Sequence, residues 1–169
     1  MEFGSNTATL KTYPDMAATV TRTGVTLIRG KGEVGQVQLL GDVDFDGEYL
    51  IGSKVQPVVF STDLSRLYVG GNGAIYVIDL VGLTLVEKIR VPAGSNIHSL
   101  AMAGDLLIVG EGYKYGGSGS RILVYQTNPA SASYHQDPVA LQGAGIEQAP
   151  FGVSGMIVGP DGRTLVVVV

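Results

Sequence analysis

The chain contains no cysteine and no tryptophan. Without thiols there is no disulfide framework, no thiolate zinc site and no cysteine nucleophile. Charge is scarce as well. Eleven Lys and Arg and 15 Asp and Glu make up 15% of 169 residues, against roughly 25% in an ordinary globular domain. The net charge is −4 and the pI about 5.0, which excludes an electrostatically driven nucleic-acid binder. Mean hydropathy is +0.28, too apolar for a disordered acidic tail. Yet no apolar run approaches the roughly 18 residues of a membrane-spanning helix. No segment carries a 3.6-residue apolar period, and no G-x-S-x-G elbow is present.

Glycine is plentiful, 25 of 169 residues, about twice the usual share. The opening Met1-Glu2-Phe3-Gly4-Ser5 is what common cloning sites encode, so residues 1–5 are set aside as a cloning scar.

The glycines belong to a repeat. Val20–Gly30, Phe60–Gly70 and Leu100–Gly110 align without a gap. Leu27, Leu67 and Leu107, and Gly30, Gly70 and Gly110, recur every 40 residues. A fourth copy, Val158–Val167, arrives late, after extra sequence at 111–120 and 128–138. Each copy reads as an apolar strand, a turn, and a second apolar strand ending in Gly. The turns are Thr23-Gly24, Asp63-Leu64-Ser65, Gly104-Asp105 and Pro160-Asp161-Gly162. Asn-Gly and Asp-Gly pairs supply the positive φ that tight hairpins need. Third and fourth strands follow at 74–79 and 83–91. Four strands per 40 residues is the spacing of a β-propeller blade.

Gly159-Pro160-Asp161-Gly162-Arg163-Thr164-Leu165-Val166-Val167, preceded by Pro150-Phe151-Gly152-Val153, resembles the blade signature of YVTN-type and lactonase-like propellers. Leu67-Tyr68-Val69 and Ile75-Tyr76-Val77-Ile78-Asp79 are similar to strands of the same group. The Trp-Asp dipeptide of another large propeller class is absent. The resemblance covers about residues 16–169 and implies a blade type, not an activity, because such blades serve enzymes and binding modules alike.

The expected fold is therefore all-β, a partial β-propeller of about three and a half four-stranded blades. Residues 6–15 are expected as the outer strand of a preceding or closing blade. Blade 1 spans 16–56, blade 2 spans 57–96, blade 3 spans 97–150, and the first half of blade 4 spans 151–169. The chain is expected to be a piece of a larger ring. Leu27, Leu67, Leu107 and Leu165 are expected at equivalent positions on inner strands.

Candidate chemistry is sparse. Asp42-Val43-Asp44-Phe45-Asp46-Gly47 has the D-x-D-x-D-G spacing by which alternate carboxylates converge on Ca2+. It also resembles the FG-GAP calcium hairpins of integrin-like propellers. Ligands would be Asp42, Asp44 and Asp46 with the carbonyl of Glu48. Against it, Ser53 stands where a bidentate Glu belongs, Leu50 replaces the later acid, and Phe45 replaces a usual Gly. A solvated acidic hairpin loop is the competing reading. Gly30-Lys31-Gly32-Glu33-Val34-Gly35 matches G-x-G-x-x-G, but Gln36–Leu40 reads as strand where a dinucleotide site needs a helix.

His98 and His135 are the only histidines. The repeat places them on opposite faces, so neither a shared metal nor a histidine dyad follows. Tyr113-Lys114-Tyr115, in a Gly/Ser-rich excursion between the second and third strands of blade 3, is the expected ligand-binding loop. Two tyrosines flanking a lysine can stack on a sugar or grip a peptide. Residues 128–138 read as a plain loop. Thr164–Val169 has no charge and no proline and reads as an open edge strand. Either Thr7–Tyr13 folds back onto it or a second chain covers it.

These readings favour a non-enzymatic interaction or scaffold propeller that binds protein or glycan through one face and self-associates through open blade edges. An extracellular or cell-surface setting is expected, the periplasm being the alternative. The competing functions are a fragment of a propeller enzyme, hydrolase or oxidoreductase, and a set of calcium-dependent adhesin blades.

Overall fold

The computed structural model describes residues 10–13, 16–21, 23–30, 37–46, 56–71, 73–91, 95–113, 120–141 and 152–168. Among these there are fourteen strands and no helix. The first sheet is β1 (Leu10–Tyr13), β2 (Met16–Val20), β3 (Gly24–Gly30) and β4 (Val37–Asp44), in that order. The second is β5 (Val58–Phe60), β6 (Arg66–Gly70), β7 (Ala74–Asp79) and β8 (Thr84–Arg90). The third is β9 (Ser95–Ala103), β10 (Leu106–Tyr113), β11 (Arg121–Gln126) and β12 (Val139–Leu141). A hairpin of β13 (Gly155–Val158) and β14 (Leu165–Val168) begins a fourth. Neighbouring strands within each sheet are antiparallel. The first strands lie in series, β1 on β5, β5 on β9 and β9 on β13. The fold is a partial β-propeller of three four-stranded blades and half of a fourth.

The sheets pack face to face in sequence order, so the second is covered on both sides, and the third is covered by the second and, over part of its other face, by the hairpin. In β6, Leu67 and Val69 point into the core shared with the first sheet, alongside Val20, Val25, Leu27, Val43 and Phe45. Tyr68, between them, points into the core shared with the third sheet, with Leu107, Val109, Leu123 and Tyr125. β7 divides likewise, Tyr76 and Ile78 one way, Ile75 and Val77 the other. That is why Ala74–Ile78 reads as an unbroken apolar run: side chains alternate across a strand, and here both faces are dry. A third core joins Ala101, Ile108, Ile122 and Val153 to the hairpin's Met156, Val158, Leu165 and Val167.

The recurring glycines have a steric cause. A Cβ on Gly70 would lie 2.6 Å from Cγ2 of Ile97, on the next blade, and 2.6 Å from Cγ of Pro57. On Gly110 it would lie 2.3 Å from Oγ of Ser99 and 2.8 Å from Cγ1 of Val153. Gly70 closes β6 and Gly110 lies within β10; at both the next blade comes close, and a residue without a side chain fits there.

The late fourth copy is in register with the second. Ser61 N–H donates to Arg66 C=O at 2.9 Å, and Gly159 N–H donates to Thr164 C=O at 2.7 Å. Inside each turn an aspartate carboxylate accepts the backbone N–H two residues on, Ser65 for Asp63 and Arg163 for Asp161, both at 3.0 Å. Leu67 and Leu165 then follow at matching places on β6 and β14.

Two expectations need correction. Leu10–Tyr13 does not pair with the last hairpin. It pairs antiparallel with Met16–Val20 inside the first sheet, Tyr13 opposite Met16, as the edge strand next to β2. Leu27 consequently lies on the third strand of its sheet, whereas Leu67, Leu107 and Leu165 lie on second strands.

Candidate functional site

The second and third sheets part at one end and leave a cleft of about 370 Å³. Its walls are the β5–β6 turn (Ser61, Thr62, Asp63, Ser65), the β9–β10 turn (Gly104, Asp105) and the chain leaving β11 (Thr127–Pro129, with Tyr134). In a meander, turns after first strands and after third strands emerge on one face, so these three converge by topology. The Thr62 hydroxyl ties two of them by donating to Gly104 C=O at 2.9 Å. Thr127 ties the third, its hydroxyl donating to Asp105 C=O at 2.8 Å.

Asp63 is held rigidly. One carboxylate oxygen accepts the Ser61 and Ser65 hydroxyls at 2.7 and 2.9 Å in addition to the Ser65 N–H. These bonds, the Ser61 hydroxyl foremost, hold its carboxyl below the ordinary range. Asp105 accepts the Asn128 side-chain amide at 3.3 Å. The guanidinium of Arg66 is bonded to Asp79 on β7 and to Ser65 C=O, so its charge is largely spent within the wall.

Behind the cleft runs a hydrogen-bonded chain of three side chains. Nδ1 of His135 is 2.6 Å from Oε2 of Glu87 on β8, and its Nε2 is 3.3 Å from the hydroxyl of Tyr68 on β6. With Nδ1 donating to the carboxylate, Nε2 is left to accept from the phenol of Tyr68, whose ionisation burial pushes well above the ordinary value. His135 is 5% exposed, stacks on Tyr134 at 3.8 Å between centroids and meets the Tyr68 ring edge-on at 5.7 Å. It clasps the third sheet's loop to the second sheet. This corrects the reading of residues 128–138 as a plain loop. No local pattern marked it, because His135 is 48 residues from Glu87 and 67 from Tyr68.

His98 sits elsewhere, on β9, against Gly112 and Gly152, where an added Cβ would come 2.9 and 2.8 Å from its ring. Among the described residues the two histidines share no hydrogen-bond partner. Asp42 and Asp44 lie within β4, not in a loop, and Asp42 accepts the Thr26 hydroxyl on β3. Asp46 follows in a turn at φ 55°, and Glu48 lies outside the described residues. An extended strand keeps alternate carboxylates roughly 7 Å apart. Among the described residues no three His, Cys, Asp or Glu side chains are placed to share a metal ion. Of Tyr113 only the backbone, opposite Ser95, is described, and Lys114 and Tyr115 lie outside the described residues. Residues 31–35 of the G-x-G-x-x-G string also lie outside them, but the strand β4 follows, not a helix. Among the described residues no helix is long and apolar enough to cross a membrane.

Comparison with known proteins bears on the fold alone. No family model matches the chain, and no curated protein matches it. Among solved structures, a chain in the crystal structure of a mitotic checkpoint complex is similar, with a TM-score of 0.59 and 21% identity. The match covers 90% of this chain and 40% of that one, so this chain spans less than half the length of its structural neighbour. That neighbour is a propeller protein.

Proposed function

We propose that the chain is a protein-binding propeller segment whose recognition surface is the cleft between the second and third blades. The observation that carries this is the lining of the cleft. Hydroxyls, two carboxylates, a side-chain amide and tyrosine rings converge there from three turns, and hydrogen bonds between the turns fix them before any ligand arrives. Preformed polar walls with aromatic floors suit an extended peptide, whose backbone offers alternating donors and acceptors. The similarity to a chain found in a protein complex supports a protein over a glycan. An extracellular or cell-surface setting, proposed on low charge and absent cysteine, is compatible with this role.

Peptide display against the immobilised chain tests the reading. Selected peptides should lose at least tenfold in affinity on Thr62→Arg, which fills the cleft from an exposed position. Unchanged affinity, or enrichment of glycans and not peptides on a parallel array, overturns it. Calcium at Asp42, Asp44 and Asp46 is a separate proposal. Equal melting midpoints in millimolar calcium and in chelator dispose of it, since a ligand well above its Kd must stabilise the folded state.

A further inference from the structure

The clasp behind the cleft extends into its wall. Glu87 on β8 opens to solvent, 38% exposed, and its carboxylate lies 2.6 Å from Nδ1 of His135. Nε2 of His135 lies 3.3 Å from the Tyr68 phenol. The Thr127 side chain is that phenol's other hydrogen-bonding neighbour, and the Thr127 hydroxyl donates to Asp105 C=O at 2.8 Å. Tyr68, Thr127 and Asp105 line the cleft. One chain of hydrogen bonds therefore joins the outer strand of the second sheet to the cleft.

The two ends of this chain have fixed directions, because a carboxylate and a carbonyl only accept. His135 donates through Nδ1 at one end, and Thr127 donates at the other. Between them one proton decides. With His135 neutral, Nε2 accepts and the Tyr68 O–H is spent on it. Toward the cleft the phenol oxygen then offers lone pairs only. With His135 protonated, Nε2–H donates to the phenol oxygen, and the Tyr68 O–H turns to Thr127 and the cleft. Every donor in the chain has an acceptor in both states, so the protein can change state without breaking the clasp. The proton can enter from the cleft side: Tyr68 passes its own proton to Nε2 and its oxygen takes up another. Tyr68 is neutral before and after, since burial holds its ionisation well above the ordinary value.

Among the described residues, the titratable groups facing His135 are Glu87 from β8, Tyr68 from β6 and Tyr134 from its own loop, stacked on its ring. On the β11 side its backbone N–H donates to Gln126 C=O at 2.9 Å. Arg66 and Asp63 act on Tyr68, and Arg66 also on Tyr134, but Arg66 is bonded to Asp79. Lys88 is turned over the ring of Tyr76, and Asp137 is exposed. The imidazole is the group in this set that gains and loses a proton between about pH 5 and 8.

We infer that His135 makes the cleft a pH-sensitive binding site. With His135 neutral, the cleft takes a ligand that donates a hydrogen bond to Tyr68. With His135 protonated, it takes one that accepts there. The effect on ligands rests on the cleft being the recognition surface. The reversal of the chain does not.

The test is NMR on the whole chain, labelled with nitrogen-15 in histidine and carbon-13 at tyrosine Cζ, from pH 8 to pH 5. His98→Gln separates the two imidazoles, and Tyr68→Phe identifies the Tyr68 resonance. At pH 8 the His135 proton should sit on Nδ1. The Tyr68 resonance should then move with the same midpoint as the His135 nitrogens, and His135→Asn should abolish that movement. A proton on Nε2 at pH 8 overturns the inference. So does an imidazole that stays neutral to pH 5, or a Tyr68 resonance that stays still while His135 titrates. These outcomes are read on the wild-type chain and need no variant to fold beyond those that assign it. Peptides free of His, Asp and Glu, selected on the chain at pH 7.5, should bind at least threefold more weakly at pH 5.5. The difference should vanish in Tyr68→Phe. Equal affinity at the two pH values overturns the effect on ligands. If no peptide binds at either pH, the cleft reading fails, and the resonances still decide the reversal.

Discussion

Leu64 and Gly162 hold the same left-handed conformation, φ 58° and 65°, at the same place in the β5–β6 and β13–β14 turns. Each N–H donates back to the residue three before it, Ser61 at 3.0 Å and Gly159 at 2.9 Å. Glycine enters this region freely, and a leucine there is strained by about 1–2 kcal/mol. Leu64 is retained because its side chain packs on the core between the first two blades. At Gly162 a Cβ would meet nothing within 4 Å, so a side chain there gains no packing. Gly162→Leu should therefore cost about 1–2 kcal/mol by urea denaturation. Leu64→Gly should shift stability by less than about 1 kcal/mol, strain relief offsetting lost packing. Equal losses at both positions would refute the claim that packing offsets the strain at Leu64.

The interblade glycines make a second prediction. Gly110→Ala should destabilise by about 1–3 kcal/mol, because Ser99 and Val153 stand inside contact distance and the blades must separate. Gly104→Ala is the control: it has positive φ but open space around it, so it should lose about 1 kcal/mol from backbone strain alone. Calorimetric midpoints in the reverse order would show that interblade crowding is not why these glycines recur.

Architecture was legible in the sequence to the extent that it is periodic. Leu67 and Gly70 recur 40 residues on because each blade meets the next in the same way, and Asp161-Gly162 marks a turn by its own chemistry. The pairing of Leu10–Tyr13 with Met16–Val20 was not legible, since four residues are too few for a period and either neighbouring blade offers a partner. The cleft was hidden for another reason. Ser61–Ser65, Gly104-Asp105 and Thr127–Tyr134 adjoin only after two sheets have stacked. The acidic spacing at Asp42–Asp46 was easily seen, but pairing with β3 draws Asp42 and Asp44 into a strand, which spacing alone cannot tell from a loop.

The clasp behind the cleft yields a third prediction. His135 adopts φ 53°, which asparagine tolerates better than most residues. His135→Asn therefore removes the reach to Tyr68 and Glu87 with little added backbone strain. It should cost about 1–3 kcal/mol, the penalty for leaving buried polar partners unmatched. Tyr68→Phe should cost less in the His135→Asn background than in the wild type, by about 0.5–1.5 kcal/mol in a double-mutant cycle. Strict additivity would mean that the 3.3 Å contact contributes nothing.

Alkaline stability turns on Tyr125. Its ring is buried between the second and third sheets, and its hydroxyl has no hydrogen-bond partner among the described residues. Burial first, then the nearby charge of Glu111, pushes its ionisation up to about 12 from an ordinary 10.0. A phenol that holds its proton longer when folded favours the unfolded state as pH rises. Unfolded Tyr125 ionises from about pH 10, whereas the folded residue waits until about 12, so stability falls across that window. Tyr68 adds to the same decline, its ionisation raised chiefly by burial. Tyr125→Phe removes an unsatisfied buried hydroxyl, so its melting midpoint at pH 7 should equal or exceed that of the wild type. Between pH 10 and 12 the variant should lose stability less steeply than the wild type. Melts in a pH series, with phenolate absorbance followed in parallel, check both. A midpoint at pH 7 several degrees below wild type would show that the hydroxyl has a partner and that the alkaline argument for Tyr125 is wrong.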